Sequence, residues 1–243
     1  MTGPKVAVFR PDDDRLSHAE ELLERLDADP VPDPMLAVES TGATPRDGAE
    51  FVILTSKTGV ELAAGGGWTP GEAALCAIGE ATADACRDAG WTVDLVPEEY
   101  TSAGLVDALE GAVDGARVEV ARSDHGSAVL TDGLNDAGAY VHETVLYELT
   151  RPPESGEAAE RAAAGTLDGA LFTSSLTVAN FLDAAAERGI REDAIAGLGD
   201  AVVGCIGTPT RETAEAAGVP VDVVPETADF AALARAVVER VAG

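Results

Sequence analysis

The chain has few cations, few aromatic residues and no long hydrophobic run. Of its 243 residues, 16 are lysine or arginine and 44 are aspartate or glutamate, which sets the formal net charge at −28. This balance argues against a basic face that binds nucleic acid. No stretch approaches the roughly 18 apolar residues of a membrane span, and the first residues lack the pattern of a secretory signal. We therefore expect a cytoplasmic protein with neither nucleic-acid nor membrane partners.

Residues that commonly hold cofactors are scarce as well. The three cysteines, Cys76, Cys86 and Cys205, form no CxxC pair and lie in apolar or alanine-rich segments, so we interpret them as small core residues. The three histidines share no metal-ligand spacing, and no phosphate-binding loop is present. Only five phenylalanines, two tryptophans and three tyrosines are available to hold a flavin. The sequence implies no metal and no organic cofactor.

The acidic residues are dispersed rather than gathered in one tail, as in the segment ERGIREDAIAGLGDA. Such a surface suggests a salt-loving host, because salt screens the repulsion among like charges. This interpretation concerns the cell and not the reaction.

Short Val-, Ala- and Ile-rich runs alternate with alanine-rich amphipathic stretches, which is typical of a parallel sheet covered by helices. The predicted class is α/β. The predicted strands are KVAVFR, FVILTS, ALCAIG, TVDLVP, RVEVAR, YVHETVLYELT, GALFTSS, AVVGCIG and PVDVVP. The predicted helices include SHAEELLERL, EATADACRDAG, SAGLVDALEGAV, SLTVANFLDAAAERG, TRETAEAAG and FAALARAVVERV.

The chain contains an internal repeat, because residues 77–110 align without a gap on residues 205–238. Both copies contain Ile-Gly-x-x-Thr, then Ala-Gly, then Val-Pro-Glu, and each follows a strand that ends in Thr-Ser. A weaker match relates KVAVFR to RVEVAR, and each of these strands begins a shorter segment that precedes one copy of the longer repeat. The order of segments along the chain is therefore short, long, short, long. If each domain contains one short and one long segment, either consecutive segments pair to form a domain or the chain crosses twice between domains. Proline-rich stretches near residues 36–44 and 148–156 mark the best crossings.

The repeated hydroxyl residues fall where ligands gather in parallel sheets, after the carboxyl ends of strands. Ser56 and Ser174 end strands directly before helices, and Thr82 and Thr210 lie at the starts of the next helices. Their hydroxyls either cap backbone N–H groups or leave those groups free to bind anions. Occurrence in both copies favours a paired anion-binding cleft.

These duplicated motifs resemble the uroporphyrinogen-III synthase family over nearly the whole chain. The resemblance implies two flavodoxin-like domains joined by a two-stranded linker, with the substrate cleft between them. It also implies the double crossing, with residues 1–37 and 151–243 in one domain and residues 38–150 in the other. The implied protein is a monomer that makes transient contact with the preceding enzyme of the pathway.

The family's substrate is hydroxymethylbilane, a linear tetrapyrrole with eight carboxylates, which the resemblance implies is closed into a macrocycle with ring D inverted. By motif position the family's catalytic tyrosine falls on Tyr147, whose alternative is an ordinary strand tyrosine. The substrate-binding hydroxyls fall on Thr82, Thr210 and either Ser174 or Ser175. Proline at position 209 departs from the family pattern and puts the placement of Thr210 in doubt.

Three cations at strand ends or in the loops after them are further candidates for substrate contact: Arg10, Lys57 and Arg122. A structural salt bridge is an equal alternative for each. Two other functions stay open from the residues alone. One is a non-enzymatic two-domain protein that binds a small anion, and the other is a flavodoxin-like flavin or nucleotide enzyme.

Overall fold

The structure is a computed structural model that describes residues 3–243, with short strands and mostly short helices. No helix within this range is long and apolar enough to cross a membrane. The strands are β1 (Lys5–Val8), β2 (Asp29–Pro32), β3 (Ala37–Ser40), β4 (Phe51–Leu54), β5 (Ala74–Ala77), β6 (Arg117–Ser123), β7 (Tyr140–Thr150), β8 (Gly169–Phe172) and β9 (Val202–Cys205). The helices are α1 (Asp14–Arg25), α2 (Lys57–Gly65), α3 (Glu80–Asp88), α4 (Ser102–Leu109), α5 (Ala128–Asp136), α6 (Glu157–Ala163), α7 (Ser175–Glu187), α8 (Arg191–Gly199), α9 (Thr208–Ala216) and α10 (Phe230–Ala242).

The chain forms two compact units. Unit 1 consists of Met1–Ala37 and Thr150–Gly243, and unit 2 consists of Val38–Leu149. The chain therefore leaves unit 1 through β3 and returns through β7, and these two strands are hydrogen-bonded neighbours. Just beyond β3, the backbone N–H of Thr41 donates to the carbonyl of Leu146 at 3.1 Å. Two adjacent strands thus carry both crossings.

The sheet of unit 1 has the order β2-β1-β8-β9, and its neighbouring strands are parallel. Beyond β9, Gly204 forms a single parallel bridge with Val223. Because β1 lies beside β8, the first short segment and the second long segment share one sheet. With the Val223 bridge as a fifth member, this is the flavodoxin-like order 2-1-3-4-5.

Unit 2 repeats that order from a different starting point. Its sheet runs β3-β7-β6-β4-β5, and Cys76 forms a parallel bridge with Leu95 beyond β5. When β6 is counted as the first strand, the sheet order β7-β6-β4-β5 followed by the Leu95 bridge is again 2-1-3-4-5, as in unit 1. Unit 2 is therefore a circular permutation of unit 1, which explains the alternation of short and long segments in the sequence.

Alternating side chains build a core on both faces of each sheet. In β1, Val6 and Val8 pack in one apolar cluster, whereas Ala7 packs in the other together with Phe9, which follows the strand. Successive residues of a strand point to opposite faces, so a short continuous apolar run suits a strand that is covered on both sides. This is why the apolar runs were sufficient to predict a parallel α/β fold.

Two sequence predictions about strands were wrong in extent. The segments TVDLVP and PVDVVP form only the isolated bridges at Leu95 and Val223, because an aspartate side chain replaces part of each ladder. Asp94 accepts a hydrogen bond from the backbone of Leu75 at 2.8 Å, and Asp222 accepts one from Val203 at 3.0 Å.

Two strands, β2 and β3, were not predicted. Strand β2 contains two prolines and lies at the edge of its sheet, the position where a missing N–H is tolerated.

Candidate active site

In each sheet the strand order reverses once, and four of the predicted site residues lie at these two reversals. In unit 1 the reversal falls between β1 and β8, and in unit 2 between β6 and β4. Connections leave the carboxyl ends of such strands toward opposite faces and open a crevice, the usual ligand site of open parallel sheets. Arg10 and Ser174 follow the two strands of the first pair. Arg122 and Ser56 lie at the carboxyl ends of the second.

Ser56 and Ser174 both cap helices. The Ser56 hydroxyl accepts the backbone N–H of Gly59 at 3.0 Å and begins α2. The Ser174 hydroxyl accepts the N–H of Thr177 at 3.1 Å, and the Thr177 hydroxyl accepts the N–H of Ser174 at 3.2 Å, which completes a capping box. Of the two roles left open for these hydroxyls, the structure places both serines in the capping role.

Tyr147 lies beside the Ser56 cap. Its phenol oxygen is 3.0 Å from the Ser56 hydroxyl oxygen, and either group can donate the hydrogen bond. The side chain is buried, with 6% of its surface exposed, and packs in the core cluster that also contains Leu54 and Leu146. The ring is therefore held by packing, and the hydroxyl is held at the carboxyl edge of β4.

A β-bulge sets the direction of Tyr147. The register of β6 and β7 shifts so that Arg122 pairs with Val145 but Ser123 pairs with Tyr147. Successive strand residues normally alternate between faces, yet Leu146 and Tyr147 both pack in the same core cluster. The extra residue re-aims the tyrosine, a use of bulges that is common beside active sites.

The predicted threonines occupy equivalent places in α3 and α9. Each is the third residue after a glycine N-cap, Gly79 for Thr82 and Gly207 for Thr210, and neither glycine offers a capping side chain. The threonines are 5% and 4% exposed. Neither hydroxyl has a hydrogen-bond partner among residues 3–243. Two helix N-termini thus keep uncapped N–H groups beside a free hydroxyl, a combination suited to anions.

Pro209 does not displace Thr210. The N-cap glycines have nearly the same backbone angles, with φ −171° and ψ 172° at Gly79 and φ −168° and ψ 175° at Gly207. Proline in the first helical turn costs no hydrogen bond, because the N–H that it lacks has no partner there in any case. The two copies therefore present their threonines at the same place in the helix.

Ser175 differs from Ser174 in its use. Its hydroxyl donates to the carbonyl of Pro209 at 3.1 Å and accepts from the Thr213 hydroxyl at 2.8 Å. These bonds join the start of α7 to α9. Of the two serines left open by the family motif, Ser174 is the structural match to Ser56, and Ser175 has an internal role.

Arg10 and Arg122 occupy matching strand ends but have different surroundings. The guanidinium of Arg10 lies over the ring of Phe230, 4.6 Å from its centroid, and has no ion pair among residues 3–243. Burial, with the nearby charge of Arg15, lowers the pKa of Arg10. An arginine nevertheless keeps its charge in proteins. Arg10 is therefore a partly buried cation held in place by an aromatic ring.

Arg122 is buried, and its cation is already engaged. It donates to the carboxylate of Glu143 and to the carbonyl of Ser127, both at 2.6 Å. The structure thus supports the salt-bridge alternative for Arg122. Lys57 is exposed and lies 3.4 Å from Glu61 one turn along α2. Exposed pairs of this kind contribute little, so Lys57 stays available to other anions.

The cysteines offer no reactive group. All three are buried, and burial raises the pKa of Cys76 to about 12, of Cys86 to about 11 and of Cys205 to about 12. Among residues 3–243 no group of three or more His, Cys, Asp or Glu side chains is placed to hold a metal ion. The chemistry near the two reversals therefore rests on hydroxyl, backbone N–H and guanidinium groups.

Sequence reasoning missed the Ser56–Tyr147 hydrogen bond, since 91 residues separate the partners.

Comparison with known proteins settles the family. Residues 17–235 match the family described as uroporphyrinogen-III synthase HemD. The chain belongs to the uroporphyrinogen-III synthase family. A putative uroporphyrinogen-III synthase of Methanothermobacter thermautotrophicus is 34% identical over 238 residues, which covers 91% of this chain and 92% of that protein.

Solved structures of the family share the fold. A mutant uroporphyrinogen III synthase from the extremely thermophilic bacterium Thermus thermophilus superposes with a TM-score of 0.71 at 19% identity, with 99% of each chain covered. The uroporphyrinogen-III synthetase of Helicobacter pylori gives a TM-score of 0.63 at 13% identity, covering 98% of this chain and 99% of that one. The α/β fold with parallel-sheet domains, predicted from the sequence, is confirmed.

Proposed function

We propose that this chain is a uroporphyrinogen-III synthase, which converts hydroxymethylbilane to uroporphyrinogen III in tetrapyrrole biosynthesis. Family membership carries the proposal, together with one observation of geometry. The buried Tyr147 hydroxyl is held 3.0 Å from Ser56 at the strand-order reversal of unit 2. A phenol fixed at a crevice edge is a suitable hydrogen-bond donor to a departing hydroxyl group.

The reaction needs little covalent chemistry from the protein. The hydroxyl on the ring A methylene leaves with a proton as water, and an electrophilic azafulvene forms. The substituted carbon of ring D attacks that methylene and gives a spiro intermediate, which breaks the older ring C–ring D link and recloses with ring D inverted. Loss of a ring proton restores the aromatic pyrrole, so the balance is one water released. Positioning and hydrogen bonding supply most of the catalysis.

In this proposal Tyr147 is the catalytic residue. Its phenol donates a hydrogen bond to the leaving hydroxyl, and Ser56 holds the phenol in place. The ring is fixed by the surrounding core, so little freedom is lost when the substrate binds.

Four of the remaining predicted residues bind the substrate carboxylates in this proposal. Thr82 and Thr210 contribute hydroxyls at the two uncapped helix N-termini, and Arg10 and Lys57 contribute cations. Ser174 and Ser175 order the start of α7, and Arg122, which Glu143 holds, orders the carboxyl end of β6.

Two further proposals concern the setting. The net charge of −28 supports a salt-rich host, because screening at high ionic strength removes the self-repulsion of a dispersed acidic surface. The protein acts in the cytoplasm as a monomer that receives its unstable substrate by transient contact with the preceding enzyme.

The deciding experiment supplies hydroxymethylbilane, generated enzymatically in the assay, and separates the porphyrin isomers after oxidation. We expect the type III isomer, since hydroxymethylbilane alone closes to type I. Formation of type I only, by protein shown to be folded in high salt, would refute the proposal. That result combined with tight carboxylate binding would favour the non-enzymatic anion-binding alternative, and a yellow visible spectrum would favour the flavin alternative.

A further inference from the structure

We infer that Arg211 is a further substrate-binding residue, which holds a carboxylate of the substrate at the N-terminus of α9. The inference rests on the function proposed above and extends it to a residue outside the repeated motifs. It would make the two duplicated helix ends unequal in their attraction for anions.

Arg211 has no acidic partner in a protein with a large excess of acid. Most of the 16 cations form ion pairs with the 44 carboxylates, but Arg211 forms none among residues 3–243. Its Nε atom is buried and has no hydrogen-bond acceptor. The Nε atom of Arg122 and the Nε1 atom of Trp68 are also buried without an acceptor among residues 3–243, but Arg122 donates to Glu143 and Ser127 through its other nitrogens, whereas the Arg211 side chain forms no hydrogen bond within that range. Buried polar groups are almost always satisfied, so a cation left wholly without an acceptor points to one supplied from outside the protein chain.

The position of Arg211 supports an anion as that acceptor. The residue follows Thr210 directly and lies in the first turns of α9, where its backbone N–H donates to the carbonyl of Gly207 at 3.1 Å. Gly207 provides no side-chain cap, and the hydroxyl of Thr210, a residue only 4% exposed, has no partner among residues 3–243. The uncapped N-terminus of α9, the residue with the free hydroxyl and the residue with the unpaired guanidinium therefore fall within one helical turn.

The duplicated copy provides an internal comparison. Ala83 occupies the position in α3 that matches Arg211 in α9, and it is fully buried. The N-cap glycines of the two helices have nearly the same backbone angles. The helix ends thus have one geometry, and only the end in unit 1 adds a cation. Placing a charge in a partly buried site without an acid is unfavourable, which argues against a role in stability alone.

Arg211 and Arg10 belong to the same edge of the unit 1 sheet. Arg10 follows β1 and Arg211 follows β9, with β8 between these strands, so the strand ends are two spacings apart, about 10 Å. A substrate with eight carboxylates can place different side chains at each cation. Arg10 and Arg211 both lack an ion pair among residues 3–243, whereas Arg122, which matches Arg10 in unit 2, is held by Glu143.

The test measures steady-state kinetics with hydroxymethylbilane for Arg211→Ala, which copies the residue of the other helix. We expect KM to rise about tenfold with kcat within about twofold, because the carboxylate contact is made before and during the reaction. Arg235→Ala is the matched control, since it removes an exposed arginine on α10 that also lacks an ion pair within residues 3–243. That variant should keep KM within about twofold.

Two more measurements separate binding from structure. Salt weakens the attraction between Arg211 and a carboxylate, so kcat/KM should rise more steeply with salt for Arg211→Ala than for the wild type or Arg235→Ala, an effect that a purely structural residue would not cause. Arg211→Gln keeps the Cβ, Cγ and Cδ carbons without the charge, so it should show the same rise in KM, and it replaces the alanine variant if that variant folds poorly.

The outcomes are distinguishable. A wild-type KM in folded Arg211→Ala and Arg211→Gln, from a wild-type enzyme that makes the type III isomer, overturns the assignment of Arg211 and leaves the proposed function intact. An equal rise in KM for Arg235→Ala also overturns it, because net charge alone would then explain the effect. Failure of the wild type to make type III overturns the proposed function instead.

Discussion

Replacement of Tyr147 by phenylalanine removes one hydroxyl at the proposed catalytic position and little else. The ring stays in a core that leaves 6% of the side chain exposed, and Ser56 keeps the N–H of Gly59 as a partner. The stability cost is therefore that of one neutral hydrogen bond, about 1 kcal/mol. For a chain of this size that corresponds to a fall in Tm of roughly 2–4 °C.

The expected effect on catalysis is much larger. A positioned proton donor contributes roughly 10²–10⁴ in rate, which is about 3–5 kcal/mol of activation free energy. We expect kcat for type III formation to fall at least about a hundredfold, measured by isomer-resolved assay on protein whose folded fraction is known. Tyr140→Phe is the control, because Tyr140 lies on the same strand but is 71% exposed.

A loss of kcat of only a few-fold in folded Tyr147→Phe would refute this reasoning. Tyr147 would then be an ordinary strand tyrosine whose hydroxyl stabilises the start of α2. The variant Ser56→Ala adds a check, because it removes both the helix cap and the phenol's partner. It should reduce kcat less than Tyr147→Phe if Ser56 acts only by positioning.

Three other predictions follow from the site and the charge. Thr82→Val and Thr210→Val should raise KM for hydroxymethylbilane. The free energy of unfolding should change by less than about 0.5 kcal/mol, because neither hydroxyl has a partner among residues 3–243. A large loss of stability in urea denaturation would contradict this prediction. Cys76, Cys86 and Cys205 should resist a thiol reagent at about pH 8 in the folded protein and react fully in denaturant, because burial raises their pKa to about 12, 11 and 12. Finally, kcat/KM per folded molecule should increase with salt, because an octa-anionic substrate approaches a protein of charge −28; a salt-independent value would rule out long-range repulsion.

Local features of this protein could be predicted from residue order alone. Apolar runs such as that of β1 specify strands buried on both faces, because alternating side chains fill a core on each side. Ser56 and Ser174 precede helices because their side chains satisfy N–H groups within three residues. The positions of Thr82 and Thr210 followed from the repeat, since a duplicated segment folds in the same way twice.

Features that join distant segments depended on the tertiary structure. The residues alone left two pairings of the short and long segments open, and the parallel contact of β1 with β8 excludes the consecutive one. Two prolines made β2 look like a connection, yet an edge position removes their cost. Arg10 and Arg122 match in sequence, but Phe230 and Glu143 give them different surroundings. The contact of Tyr147 with Ser56 needs a β-bulge between β6 and β7 and joins residues 91 positions apart, so it depends on packing that residue order does not show.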